Sequence, residues 1–266
     1  MNDPIQKILL EEIHQIRVNS SKMRGRYNAG TLHDLRVASL RLRFALKFFA
    51  SFIESEDLGG LRTGLKMARG TMGKVRNLDI LSSHLEKDVH RLKPSLKEGS
   101  RIRKILQSMK GKARQSLVAM LSSAPYKKLL SDLKRTISYR NKKRVRPGDL
   151  LNKAFKLVAW RKNISKPKDF HRVRRSLKDL RYACEFLTVF HDTRKLRRKI
   201  NDVIDLQDIL GEYQDARSSV RILERMGRSP VIDGLSRIEM GRAGKALKTF
   251  KKRWKVGKSR KINTPD

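Results

Sequence analysis

The sequence predicts an all-α protein built as a duplicated helical bundle, and three observations predict it. Apolar residues return with a helical period almost everywhere, and no stretch sustains the alternation of a strand. Hydrophobic residues make up 38% of the 266 and aromatic residues 6%. That low share suits slender helices that bury one stripe each, and not a β-sandwich. Third, residues 33–49 (HDLRVASLRLRFALKFF) repeat as 171–187 (HRVRRSLKDLRYACEFL). His33 meets His171, Arg36 meets Arg174, Leu42 meets Leu180, and Arg43 meets Arg181, each pair 138 positions apart. Gly73 in GTMGKVRNLD and Gly211 in DILGEYQDA keep the same offset of 138 without a gap. Two landmarks at one fixed spacing indicate an internal duplication.

The elements follow in order. Residues 4–24 set Ile5, Ile8, Leu9, Ile13 and Ile16 on one side, and 32–53 do the same with Leu35, Leu42, Leu46 and Phe49. A long helix is expected over 58–92, then helices over 99–122 and 125–141, parted by Ser122, Ser123 and Pro125. Gly30, Gly59–Gly60 and Pro94 read as breaks. The run 139–149, YRNKKRVRPGD, is poor in apolar residues and closes on Pro147–Gly148, which marks a domain boundary. Beyond it helices are expected near 148–163, 169–190, 194–226 and 231–256. The N-terminal half is thus 1–141, with a linker helix near 125–141. The C-terminal half is 147–256, and 257–266 reads as a disordered tail.

Charge dominates the composition. Lys and Arg number 64 against 26 Asp and Glu, a formal net charge of +38. Such a chain repels itself when compact, and a polyanion that displaces small counterions relieves the repulsion. A merely solvated surface would mix both signs. An anionic partner is therefore expected. The single cysteine, Cys184, excludes an internal disulfide, and its neighbours Tyr182, Ala183, Phe186 and Leu187 make it a buried thiol. No apolar run is long enough to cross a bilayer, and the opening MNDPIQKILLEE lacks a signal-peptide pattern. A cytoplasmic location is expected.

The candidate chemistry lies on the repeated helices. Thr31 reads as an N-cap with Asp34 three residues on, a variant of the capping box. Asp169 takes that place in the second copy, so His33 and His171 each fall in a first helical turn, where free amides and the macrodipole favour an anion. From His33, Arg36 and Arg43 lie within a sector of about 80°, and ten residues of helix rise about 15 Å. His171, Arg174, Lys178 and Arg181 occupy the matching sector. Each copy offers a ladder of cations that suits a linear chain of charges. Arginine supplies a planar fork, lysine a point charge, and histidine a donor that charges in mild acid. Arg62, Lys66, Arg69 and Arg76 extend the field along the third helix, and Arg114 along the fourth. One such His–Arg pair would more simply be solvated surface. Its repetition favours a site. The intervening leucines, with Phe44, Phe48, Tyr182 and Phe186, read as core. Gly73 and Gly211 read as close helix–helix contacts, since an interior glycine costs about 1 kcal/mol against alanine. Asp215 reads as the orienting acid of a neighbouring arginine.

HDLRVASLRLR and HRVRRSLKDLRY, followed by MGKVRNLD and LGEYQDA, resemble the CHAD family, the conserved histidine α-helical domain. The resemblance runs over roughly 4–256. It implies two four-helix bundles related by pseudo-two-fold symmetry, with a basic groove or pore. It also implies binding of inorganic polyphosphate, with the matched positions His33, Arg36, Arg41, Arg43, His171, Arg174, Lys178 and Arg181 lining the site. Some family members carry a fused triphosphate tunnel domain, and the helical reading leaves no stretch for one here. Two positions depart from the family pattern. Leu40 stands where a basic residue is usual, and Asn77 where an acid is expected, whereas Asp215 is kept.

The leading expectation is polyphosphate binding without catalysis, at polyphosphate granules in the cytoplasm. A nucleic-acid-binding protein or general polyanion scaffold is the alternative, because this charge will hold DNA or RNA nonspecifically at low salt. No helix-turn-helix spacing, zinc knuckle or stacking platform supports that alternative. An enzyme of phosphoryl transfer would need acids for Mg²⁺ or a P-loop, and neither pattern occurs. No cofactor and no metal site is expected, since one histidine per copy has no second ligand at helical spacing.

Overall fold

The computed structural model describes residues 3–55, 57–92, 95–137, 146–156, 167–190 and 192–259. Among these the regular structure is helical and no strand forms. The helices are α1 (Pro4–Gly25), α2 (Ala29–Phe48), α3 (Leu58–Asp88), α4 (Leu96–Ser122), α5 (Ala124–Ile137), α6 (Pro147–Lys156), α7 (Pro167–Leu187), α8 (Arg194–Arg225) and α9 (Pro230–Ser259). Short 3₁₀ turns follow α2 and α3. The expected helical stretches over 138–141 and 157–163 lie outside the described residues. α9 runs three residues into the segment expected to be a disordered tail, and 260–266 lie outside the described residues.

Caps move several boundaries. α2 begins at Ala29 and not at Thr31, because Asn28 accepts from the Thr31 amide at 3.0 Å. Asn serves this role at least as well as Thr, so Gly30 lies inside the helix instead of breaking it. The Gly59–Gly60 pair likewise belongs to the first turn of α3. Asp57 accepts from the Gly60 amide at 2.7 Å, and a Cβ on Gly60 would sit 2.2 Å from that carboxylate. α4 starts at Leu96 because Ser95 accepts from the Glu98 amide at 3.2 Å. Gly227, with φ of 106°, follows the end of α8 in the left-handed conformation that closes helices.

The chain divides into two compact units, 1–143 with 226–235, and 144–225 with 236–266. In the first, α1 and α3 each pack against both α2 and α4, and α5 lies on α1 and α3. Its core holds Ile16, Leu35, Leu42 and Leu46, with Phe48 stacked on Phe44 at 5.3 Å and edge-on to Phe49 at 5.0 Å. A buried hydrogen bond, Ser20 Oγ to Tyr126 Oη at 2.8 Å, ties α1 to α5. In the second unit α7 packs on α6 and α8. Phe170 of α7 meets Tyr213 of α8 at 5.7 Å and Phe250 of α9 at 6.1 Å. Tyr182, Cys184 and Phe186 are buried there, as the sequence indicated.

The cap assignment is testable. Asn28→Ala is expected to lower stability by about 1 kcal/mol, whereas Thr31→Ala should change it by less than about 0.5 kcal/mol. Urea denaturation of the two variants separates these caps.

Candidate anion-binding site

In the first unit the site is built on the pairing of α2 with α3. Arg62, Lys66, Arg69, Gly73 and Arg76 follow one another at three- and four-residue steps, so they share a face of α3. Arg36 of α2 reaches this face: a Cβ on Gly73 would lie 3.8 Å from Arg36 Nη1. Arg69 and Arg76 flank that point one turn to either side. Arg43 stands two turns beyond Arg36 on the same side of α2. These arginines are half-buried. The Arg62 Nε is buried and has no hydrogen-bond partner among the described residues, and the Nε atoms of Arg43 and Arg69 are buried as well. A donor withdrawn from water in this way is costly unless something accepts from it.

The second unit repeats the central contact. A Cβ on Gly211 of α8 would lie 3.7 Å from Arg174 Nη2 of α7. The Arg174 Nε is buried and has no hydrogen-bond partner among the described residues. Burial pulls the Arg174 pKa down from its usual value, while Asp215, Tyr182 and Asp208 push it back, so the guanidinium stays charged. Asp215 thus favours the charged form of Arg174. His171 is exposed, and its ring Nε2 lies 3.2 Å from Arg175 Nη2. Partial burial, then Arg175 and Arg174, hold its pKa below the ordinary histidine range. A hydrogen bond with Gln214 opposes them, and Arg221 adds to them. Lys178 and Arg181 are half-buried further along α7, with Arg181 Nε on Glu185 Oε1 at 2.6 Å.

Three expectations need correction. His33 is the fifth residue of α2, and His171 the fifth of α7. Only the first four amides of a helix are free, so neither histidine stands among the anion-binding amides. Arg41 leaves the ladder. It is five residues from Arg36, about 140° around the helix, and its Nε meets the buried Glu12 carboxylate of α1 at 2.5 Å. Arg114 is held at Asp79, three residues past Arg76 on α3. Its guanidinium lies 3.7 Å over the Tyr27 ring and 3.4 Å from Asp79, which also takes Lys110 at 3.5 Å. Tyr27 hydrogen-bonds the same carboxylate. Burial and then Asp79 raise the Tyr27 pKa.

The two glycines also read differently in the structure. Neither brings two backbones together. Each leaves space beside a guanidinium. Sequence reasoning missed a further contrast, although its signal was present at the offset of 138. Arg69 and Arg76 become Gln207 and Gln214, Arg62 and Lys66 become Ile200 and Ile204, and Gly70 and Asn77 become Asp208 and Asp215. The α3 face is cationic. The α8 face is made of amides, aliphatics and acids. Among the described residues no cluster of three or more His, Cys, Asp or Glu could hold a metal ion, and no helix is long and apolar enough to cross a membrane.

An all-helical protein with half-buried arginines laid along paired helices is the class that fold and site define. The chain belongs to the CHAD domain family, whose model matches residues 7–224, and that family is linked to polyphosphate binding in general. Among solved structures it is similar to PptA from Streptomyces chartreusis, with 17% identity, 95% of this chain and 98% of that one covered, and a TM-score of 0.74. It is also similar to the CHAD domain from the plant Ricinus communis, with 20% identity, 98% and 87% covered, and a TM-score of 0.68. At these identities the likeness shows the fold. A search of curated proteins gave no match.

Because the space at each glycine is bounded by a side chain at ordinary contact distance, Gly73→Ala and Gly211→Ala are each expected to raise stability, by up to about 1 kcal/mol. Thermal melting checks this. Close-packed backbones would have made both substitutions destabilising.

Proposed function

We propose that the protein binds inorganic polyphosphate and performs no covalent chemistry on it. His33, Arg36, Arg43, Arg62, Arg69 and Arg76 serve in the first unit, and His171, Arg174, Lys178 and Arg181 in the second. The observation that carries this reading is the arginine set beside a glycine in both units, with a buried Nε on Arg62 and on Arg174 and further cations one and two turns away. Phosphate oxygens accept in pairs from the planar fork of such donors. A chain of them matches the repeat of cations along a helix. The constant offset of 138 supports reading the units as copies of one ancestor. Cytoplasmic polyphosphate granules are the proposed location.

Calorimetric titration with long-chain polyphosphate, beside duplex DNA at about physiological salt, tests the reading. Tight polyphosphate binding with much weaker DNA binding is expected. Equal binding would make the protein a general polyanion binder. Phosphate release during incubation with polyphosphate and Mg²⁺ would overturn the non-catalytic part.

The contrast between α3 and α8 sets a second expectation. Arg36→Ala/Arg69→Ala/Arg76→Ala should weaken polyphosphate binding more than His171→Ala/Arg174→Ala/Lys178→Ala. In the second unit Asp208 and Asp215 already answer part of the Arg174 charge. Both triple variants should lose more than any single change, and the salt slope of log K should fall by about 0.7 to 0.9 for each phosphate contact removed.

A third expectation concerns pH. His171 starts with a depressed pKa because it is partly buried and because cations crowd it. A bound polyanion raises that pKa, so binding takes up a proton. Affinity should therefore rise as pH falls through the bound-state pKa and level off below the free-state pKa. His171→Gln should flatten this portion of the profile, measured by titration in buffers of different ionisation enthalpy.

A further inference from the structure

Helix α1 has more surface than its own unit covers. Ile5, Ile8, Leu9, Ile13 and Ile16 pack inward. Beside them runs a second stripe, Leu10, His14, Arg17, Ser21 and Arg24, again at three- and four-residue steps. From Leu10 to Arg24 it rises about 21 Å. α5 offers a matching stripe of Lys127, Leu130, Ser131 and Lys134. Between the two helices lie cavities of about 620 Å³ and 350 Å³. Arg17, Arg24 and Lys134 line both, so they form one groove.

The groove is chemically divided. Leu10, Ile13, Val18 and Leu130 supply an apolar floor, with Leu10 38% exposed. His14, Arg17, Arg24, Lys127 and Lys134 supply a cationic rim. Arg24 is steadied by the Leu121 carbonyl at 3.4 Å. The nearby acids are engaged away from it. Glu11 accepts from Gln15 at 2.9 Å, Glu12 holds Arg41, and Asp132 holds Lys128 at 2.6 Å and Arg135 at 3.1 Å. Among the described residues no carboxylate lines the groove.

We propose that the α1–α5 groove docks an acidic amphipathic helix of a partner protein. A helix laid in such a groove puts its apolar stripe on the floor and its carboxylates against the rim. About 14 residues would span it. A polyphosphate chain would use the rim and gain nothing from the floor. The chain's own segment 138–145, which follows α5, carries Arg140, Lys142, Lys143 and Arg144 and no acid, so like charge disfavours it as the occupant. The proposal does not rest on the polyphosphate reading, whose residues lie on α2, α3 and α7.

The test uses the full chain and a fluorescein-labelled peptide of about 16 residues, with leucine at i, i+3, i+7 and i+10 and glutamate at most other positions. A scrambled peptide of the same composition is the control. Anisotropy at about physiological salt should show the patterned peptide binding at least about ten-fold tighter than the scrambled one. Arg17→Glu/Lys134→Glu should abolish that preference. Leu10→Gln, an exposed change expected to leave the melting curve unaltered, should reduce it. Arg36→Ala/Arg69→Ala/Arg76→Ala should leave it intact even where polyphosphate binding is lost. Equal binding of both peptides overturns the proposal, because charge alone would then explain it. Loss of the preference in the α2–α3 variant also overturns it. So does an anionic phospholipid vesicle that binds through the same residues and excludes the peptide.

Discussion

A net charge of +38 has to be carried by helices whose apolar share is thin, and the rest of the structure follows from where those cations go. Like charges close together raise the energy of the compact state. The scarce acids are therefore placed where they hold particular cations still. Glu12 is buried under Arg41, Asp79 gathers Tyr27, Lys110 and Arg114, and Asp215 backs Arg174. Each is a local anchor between helices. Half-buried arginines also line one stripe of α3, at Arg62, Arg69 and Arg76.

Partial burial changes what those arginines can do. An exposed lysine on a long stem loses side-chain freedom when it meets an anion. A guanidinium whose Nε is already buried, as in Arg174 beside Gly211, has lost much of that freedom on folding. Much of its desolvation has also occurred before any ligand arrives. The unit therefore bears the cost in stability and gains a donor fixed in place. Glycine suits the position because it leaves the space beside the guanidinium open, even though it weakens the helix that carries it.

The helical class and the positions of most elements were legible because apolar period, caps and breaks agree with one another. Where the sequence misled, two signals competed. Thr31 and Asp34 looked like a cap, but Asn28, three residues earlier, is at least as good an acceptor and set the start of α2. That shift moved His33 past the free amides. The Gly59–Gly60 pair looked like a break because glycine usually is one. Here Gly60 makes room for the Asp57 cap. In the site, the positions on α2 and α7 could be read from spacing. Arg41 could have been excluded by the same spacing, since 140° separates it from Arg36. Its inclusion came from matching a family pattern instead. The pairing of Arg36 with Gly73 was not legible, because nothing in a single helix says which neighbour it will face.

Positions 138 apart in the sequence also show where the two units differ. Some buried positions are kept at the offset of 138, since Leu42 matches Leu180, Phe48 matches Phe186 and the arginine–glycine contact recurs, while Leu35 and Leu46 give way to the apolar Val173 and Cys184. The face around that contact is not kept. Four cations on α3 answer to two isoleucines and two glutamines on α8, and two acids enter beside Arg174. Packing constrains the first set in both units alike, since any loss opens a cavity. Charge on a half-exposed face carries no such constraint and can be exchanged without disturbing the core. One helical frame therefore supports a strongly attracting face in the first unit and a compensated one in the second. In that setting partial burial and the arginines around His171 depress its pKa. A group so placed gains a proton when negative charge approaches, so an anion bound beside His171 would be held more strongly as the pH falls.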